Sequence, residues 1–199
     1  MKKRFDKIYQ FKILLNGSKP PIWRRIQVPE TYTFWELHVA IQDSFGWLDY
    51  HLHEFEILNP KLDRIVNIGF PNDEYNKGIF TNWEEKIIDY FSMENKISLY
   101  TYDFGDNWKH IITLEKILPR KEEVKYPMCV KGKRACPPED CGGIWGYGEL
   151  LTILQDPNHE EYKETLGWVG KDFDPEHFNK DEINFEDPKK RLKIATNES

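Results

Sequence analysis

The strongest constraint on the fold is a pair of alternating segments joined by turn-forming residues. Residues 97–104 and 108–118 alternate apolar with polar side chains, which is the period-two pattern of strands that bury one face. The residues between them, Gly105-Asp106-Asn107, tolerate the positive φ angles of tight turns. This stretch therefore predicts a β-hairpin that turns on a two-residue loop at Asp106-Asn107.

The N-terminal part of the chain carries the same strand pattern and one helix signal. The alternation of side chains predicts strands at Tyr9–Leu15, Ile22–Val28 and Tyr50–Leu58. Between the second and third of these, Thr33 and Glu36 have the spacing of a capping box. Apolar residues at helical spacing follow the box and end at a glycine, so we expect one amphipathic helix there.

The remaining segments differ in composition. Residues 59–82 are rich in Pro, Asn, Asp and Gly, and they predict a long irregular excursion. Helical patterns begin at Glu149 and, after the cap residue Asn158, continue along one apolar face. Together these patterns predict an α+β fold with a mostly antiparallel sheet, helices packed on one of its faces, and a helical C-terminal third.

The length of the chain predicts its domain organisation. A chain of 199 residues favours a single domain spanning residues 1–199. We expect its core at about residues 8–186, with residues 187–199 as a flexible tail. Aromatic residues make up 15% of the chain, which excludes a disordered protein.

The charge and cysteine content of the chain limit which partners and which cellular compartment are expected. The net charge of −6 disfavours a large nucleic-acid interface, because such interfaces gain affinity by neutralising phosphates. No stretch approaches the roughly 20 apolar residues of a membrane span, so no membrane partner is expected. Three cysteines cannot form a complete disulfide framework, which indicates a reducing, cytoplasmic setting. No cofactor motif is present, and the cofactor and the ligand or protein partner stay unidentified.

Polar residues of the hairpin form the first candidate site. With a two-residue loop, Asp103 faces His110 across the strands, while Asp106 lies in the turn and Trp108 directly follows it. A carboxylate next to an imidazole orients a metal ligand or raises the basicity of a general base. The alternative is a structural pair that satisfies a half-buried histidine.

Two histidines and an arginine on neighbouring strands are further candidates. His51 and His53 are two residues apart on a predicted strand and share one face, where two imidazoles can chelate a metal. The alternative is a pair of histidines at the margin of an apolar face. Arg24 lies on the apolar face of the second strand and needs a partner if that face is covered.

The loop at residues 137–143 combines stiffness with acidic groups. Two prolines precede Glu139 and Asp140, and two glycines follow them. Such a loop presents carboxylates to a cation or to a basic partner. The alternative is a structural connection whose carboxylates cap the next helix or pair with Arg24, Arg25 or Arg134.

Three cysteines flank the same loop. Cys129, Cys136 and Cys141 are candidate zinc ligands, although structural zinc sites use more closely spaced cysteine pairs and a fourth ligand. A fourth ligand would be Glu139, Asp140 or a histidine. Cys136 and Cys141 approaching each other across the proline turn, and plain thiols, are the alternatives.

Several distinct motifs are distributed along nearly the whole chain, from about residue 8 to residue 186. They are Ile22-Trp23-Arg24-Arg25, the run from Leu37-His38 to His51-Leu52-His53-Glu54-Phe55, Tyr102-Asp103-Phe104-Gly105-Asp106-Asn107-Trp108, Arg134-Ala135-Cys136-Pro137-Pro138-Glu139-Asp140-Cys141-Gly142-Gly143, Trp145-Gly146-Tyr147 and Phe173-Asp174-Pro175-Glu176. As a set they resemble the plasmid pRiA4b ORF-3-like family. The resemblance implies an α+β domain and carries no agreed activity, since members have been labelled resolvase-like or repressor-like. Residues 59–82 depart from the compact pattern.

Three functions are hypotheses at this point. The leading one is a non-enzymatic binding or interaction module with an aromatic and acidic cleft between the hairpin, the His51–His53 strand and the 137–143 loop. The second is a metal-dependent hydrolase in which a metal activates water and a carboxylate accepts its proton. Its residues would come from His51, His53, Asp103, Asp106, His110, Glu139 and Asp140. The third is a DNA-associated protein of mobile elements.

Overall fold

The protein is described here by a computed structural model that covers residues 5–71 and 78–196. Within these residues the chain forms one eight-stranded sheet and four α-helices. The strands are β1 (Lys7–Leu15), β2 (Trp23–Pro29), β3 (His53–Asn59), β4 (Arg64–Gly69), β5 (Phe80–Thr81), β6 (Ile97–Tyr102), β7 (Trp108–Pro119) and β8 (Met128–Lys133). The helices are α1 (Phe34–Phe45), α2 (Gly143–Gln155), α3 (Tyr162–Val169) and α4 (Pro188–Ala195). The strand order is β5-β4-β3-β6-β7-β1-β2-β8.

The expected architecture, a mostly antiparallel sheet covered by helices on one face, is wrong. Strand β5 pairs with β4 in parallel, so the sheet is mixed. Both strands lie within residues 59–82, the stretch expected to be irregular. The alternating pattern in β4 is short and follows turn residues, and β5 has only two residues. Neither segment is long enough for its periodicity to predict a strand.

The expectation of a helical C-terminal third is also wrong. Helices α2, α3 and α4 have 13, 8 and 8 residues, and long turns separate them. Between α3 and α4 the only helical piece is a 3₁₀ turn at Lys180–Glu182. Prolines and aspartates interrupt this region, and its aromatic side chains supply the packing instead. A Cβ added at Gly132 in β8 would lie 2.5 Å from the ring of Phe178.

Helix α1 is the main cover of the buried sheet face. The predicted capping box is confirmed: Thr33 Oγ1 accepts a hydrogen bond from Glu36 N at 3.2 Å, and Glu36 Oε2 accepts one from Thr33 N at 2.8 Å. The helix ends at Gly46, whose φ of 89° needs a glycine. The ring of Phe34 lies 5.1 Å from that of Phe55, and burial of each such side chain contributes roughly 1.5–3 kcal/mol.

The hairpin turns differently from the prediction. Tyr102 pairs with Trp108 and Tyr100 pairs with His110, so five residues, 103–107, form the turn. The two-residue loop and the Asp103–His110 pair are therefore wrong. Asp103 leaves the strand because its backbone adopts a φ of 55° and its carboxylate accepts a hydrogen bond from Gly105 N at 2.8 Å.

Helix α4 lies in the segment that the sequence predicts as a flexible tail. The indole Nε1 of Trp35 donates a hydrogen bond to the carbonyl of Pro188 at 2.8 Å. Arg191 Nη1 lies 3.3 Å from Asp43 on α1. These contacts attach α4 to α1. Across the described residues, none of the helices is long and apolar enough to cross a membrane.

Candidate functional site

Four polar side chains from three distant segments meet beside the ends of the central strands β3 and β6. His51 precedes β3, Asp103 begins the hairpin turn, and Glu139 and Asp140 lie in the loop before α2. His51 Nε2 lies 3.3 Å from Asp140 Oδ1, 3.7 Å from Glu139 Oε2 and 3.8 Å from Asp103 Oδ2. We call these four residues the acidic cluster.

Backbone geometry brings the carboxylates of the cluster together. Asp103 and Asp140 both adopt left-handed backbone conformations, with φ of 55° and 57°. Asp103 N donates a hydrogen bond to the Leu52 carbonyl at 2.9 Å, which ties the hairpin turn to the segment that carries His51. Asp106 accepts a hydrogen bond from Gly142 N at 3.2 Å and so ties the same turn to the 137–143 loop.

Glu139 is held by donors from two segments. Its Oε1 accepts a hydrogen bond from Leu48 N at 2.6 Å, and the Tyr102 hydroxyl donates to its Oε2 at 3.1 Å. Burial and the neighbouring Glu139 raise the pKa of Tyr102 well above its usual value, so the hydroxyl keeps its proton for this bond. The same hydroxyl accepts a hydrogen bond from Tyr50 N at 3.0 Å.

The imidazole of His51 is the unsatisfied member of the cluster. Its Nε2 atom is buried and has no hydrogen-bond partner among the described residues. Asp140, by contrast, is open to solvent, with 71% of its side chain exposed. The ligand atoms of His51, Asp103 and Asp140 lie within 4.8 Å of one another, close enough to bind a single metal ion.

A second group of possible ligands consists of the buried His38 and His53 and the half-buried Asp49. The two imidazole rings stack 3.4 Å apart at an angle of 8°. A metal lies near the plane of each imidazole that binds it, and two parallel planes share no such point. His38 Nε2 instead lies 2.8 Å from Asp49, and His53 Nε2 lies 2.8 Å from Asn82. The stacked rings therefore exclude a metal shared by His38 and His53. Among the described residues, no group of possible metal ligands contains both His51 and His53.

Two other candidates from the hairpin are core residues. His110 is fully buried between aromatic rings, and burial lowers its pKa to about 3. Its Nδ1 donates a hydrogen bond to the Trp108 carbonyl at 3.1 Å. Trp108 is itself buried, with its ring 5.7 Å from that of Trp47. Neither side chain reaches the acidic cluster as a ligand.

Arg24 has a structural role rather than a role in the acidic cluster. Its side chain is buried and donates hydrogen bonds to the carbonyls of Ser44 at 2.8 Å and Lys133 at 3.1 Å. Arg25 pairs with Glu115 and Arg134 with Glu176. The arginines proposed as alternative partners of the loop carboxylates therefore bind elsewhere. The loop carboxylates do not cap α2 either, because Gly142 occupies that position without a side-chain bond.

The three cysteines are free thiols. Burial raises the pKa of each of them, to about 12 for Cys141. Within residues 5–71 and 78–196, none of them belongs to a group of three possible ligands close enough to share a metal. The structure thus offers no cysteine zinc site there.

Sequence reasoning missed the residues that surround the cluster. Tyr102 and the backbone of residues 48–50 hold Glu139, and three exposed apolar side chains lie in the same segments. These are Leu48, Tyr50 and Phe104, which are 59%, 72% and 46% exposed. The sequence carries no signal of this exposure, because a single apolar residue in a loop can be buried or exposed.

Comparison with known proteins identifies the family. A family model described as plasmid pRiA4b ORF-3-like protein matches residues 7–182. The chain belongs to the plasmid pRiA4b ORF-3-like family. The resemblance of its motifs to this family is therefore confirmed.

Two relatives of the family are similar along most of the chain. The protein described as "Uncharacterized protein y4hQ" from Sinorhizobium fredii (strain NBRC 101917 / NGR234) is 35% identical over 179 residues, which cover 89% of each chain. The crystal structure of MM3350, a protein of unknown function from Methanosarcina mazei Go1, is 54% identical with a TM-score of 0.88. That match covers 92% of this chain and 100% of the other.

Proposed function

We propose that the protein is a non-enzymatic binding module whose recognition site is the acidic cluster, and that this site takes a divalent metal ion. The observation that carries the proposal is the geometry at His51. Its Nε2 atom has no hydrogen-bond partner among the described residues and lies 3.3–3.8 Å from three carboxylates.

The charges of the cluster favour a cation. Three carboxylates this close together repel one another, and a positive charge between them relieves that repulsion. An imidazole nitrogen combined with carboxylate oxygens suits Zn²⁺, Mn²⁺ or Fe²⁺ better than Ca²⁺ or Mg²⁺, which prefer oxygen ligands alone. The same charges repel phosphates, which weighs against a DNA-binding role for this surface.

The surroundings of the cluster favour binding over hydrolysis. A hydrolase needs a carboxylate that is free to take a proton from metal-bound water. The proposed site uses Asp103 and Asp140 as metal ligands, and both oxygens of Glu139 already accept hydrogen bonds, from Leu48 N and Tyr102. The exposed Leu48, Tyr50 and Phe104 provide an apolar rim on which a partner can pack beside the metal.

Titration of the purified protein with MnCl₂ and ZnCl₂ tests the metal site. We expect stoichiometric binding in isothermal titration calorimetry and a weakening of more than about 100-fold in His51→Ala, because one direct ligand is lost. His177→Ala is the matched control, since this exposed histidine pairs with Glu182 outside the cluster. Equal affinities in the two variants, or no binding to the wild type, would contradict the proposal.

Hydrolysis assays separate the binding module from the hydrolase. We expect the metal-loaded protein to hydrolyse p-nitrophenyl acetate and p-nitrophenyl phosphate no faster than the free metal does. A metal-dependent turnover that His51→Ala abolishes and His177→Ala retains would replace our proposal with the hydrolase.

A further inference from the structure

A groove with a volume of about 560 Å³ lies at the end of α1 opposite the acidic cluster. Four segments that are distant in sequence form it: the residue Phe5 before β1, the end of β2 with the start of α1, the connection between β7 and β8, and the start of α4. Its volume falls within the range of roughly 300–1,000 Å³ that is typical of small-molecule sites.

The walls of the groove are flat and apolar. The rings of Phe5 and Tyr126 meet edge to face, with centroids 6.1 Å apart. Tyr32, Pro29 and Pro188 also line the space. Rigid aromatic and proline walls bind a planar group with little loss of side-chain entropy.

Three cations line the same groove: Arg120, Lys125 and Lys189. Arg120 lies over the Phe5 ring at 4.4 Å, and none of the three forms an ion pair with a described residue. They are concentrated in one groove of a chain whose net charge is −6. The concentration of positive charge distinguishes this groove from the rest of an acidic chain.

The two carboxylates in the groove act as helix caps. Glu36 accepts a hydrogen bond from Thr33 N at the start of α1, and Asp187 accepts one from Lys189 N at the start of α4. Each negative charge therefore lies against the positive end of a helix dipole, which offsets part of its field. No helix end in the described part of the chain offsets the positive charges of the three cations in the same way.

From these observations we infer that the groove binds a small planar anion, meaning an aromatic ring that carries a carboxylate, sulfonate or phosphate group. The ring packs between Tyr32 and the Phe5–Tyr126 pair, and the anionic group faces the lysines. This site is separate from the acidic cluster, because the two lie at opposite ends of α1, a helix about 18 Å long.

Two fluorescent probes of the same shape test the inference. 8-Anilinonaphthalene-1-sulfonate carries a negative charge, whereas N-phenyl-1-naphthylamine is its uncharged counterpart. We expect saturable binding of the sulfonate to the wild type, with affinity that falls as salt is raised. The uncharged probe is expected to bind more weakly and without salt dependence.

Matched charge reversals locate the bound probe. Lys125→Glu with Lys189→Glu is expected to weaken sulfonate binding about tenfold, because attraction is replaced by repulsion. Lys121→Glu with Lys190→Glu changes the net charge equally at neighbouring positions that do not line the groove. This control double variant is expected to bind the sulfonate within about twofold of the wild type.

Three outcomes would overturn the inference. They are an absence of saturable sulfonate binding, equal affinities in the two double variants, and equal salt dependence for the two probes. His51→Ala should bind the sulfonate like the wild type, so a failure of the proposed metal site leaves this result unaffected. Circular dichroism of each variant verifies that it is folded.

Discussion

Replacing Gly146 with alanine is expected to destabilise the protein by about 2–3 kcal/mol. The added Cβ would lie 1.9 Å from the carbonyl oxygen of Cys141, which belongs to the backbone and cannot rotate away. The first turn of α2 or the 137–143 loop must therefore shift. Because that loop carries Glu139 and Asp140, we also expect weaker metal binding by this variant. Urea unfolding and calorimetric titration measure the two effects.

Gly148 provides the control for this substitution. It lies two residues further along the same helix, and an added Cβ would meet no atom within 4 Å. Gly148→Ala is therefore expected to stabilise the protein by roughly 0.5–1 kcal/mol through higher helix propensity. Similar unfolding free energies for the two variants would show that the contact between Gly146 and Cys141 does not constrain the fold.

Lowering the pH from 7 to 5 is expected to reduce the unfolding free energy by about 2 kcal/mol through His110 alone. Burial among Phe45, Trp47 and Tyr100 lowers its pKa to about 3, whereas the unfolded chain titrates near 6.5. The unfolded state therefore binds more protons across this window, and acid favours it. Burial also lowers the pKa of His53 well below its usual value, which acts in the same direction.

Urea titrations at several pH values between 5 and 7.5 measure this dependence. His110→Phe keeps an aromatic ring in the core and removes the titrating group, so its stability should fall less steeply with acid. His159→Gln, in the turn before α3, should keep the wild-type slope. An unchanged slope in His110→Phe would mean that His110 is protonated in the folded protein or does not titrate in this range.

Part of the fold could be predicted from short-range patterns. The capping box of Thr33 and Glu36 placed the start of α1, and the glycine at 46 placed its end. The strands of the hairpin were also located, although the turn between them was not. The alternating pattern continues through Asp103 and predicts a strand residue there. In the structure the carboxylate of Asp103 accepts a hydrogen bond from Gly105 N, and the chain turns earlier.

The candidate site was only partly visible in the sequence. The sequence predicts candidate residues at His51, Asp103 and Glu139-Asp140, and the structure brings these residues together. His53 and His110 had been named for the same reasons and are buried in the core instead. A period-two pattern identifies which face a residue occupies, but it cannot distinguish a buried histidine from one at the edge of the sheet.

The groove beside α4 had no counterpart in the sequence analysis. Lys189 lies within residues 187–199, which the sequence predicts to be a flexible tail, and no pattern links it to Arg120 or Lys125. Only the docking of α4 through Pro188 and Arg191 brings these segments side by side. The spacing of charged residues along the chain does not predict such a contact.

The sequence by itself determined the family, the capped helix α1 and the apolar faces of the main strands, because these depend on interactions within a few residues. The parallel pairing of β5 with β4 and the meeting of three segments at His51 appear only in the tertiary structure. Those outcomes depend on the free energy of contacts between residues far apart in the chain. No local pattern encodes such contacts.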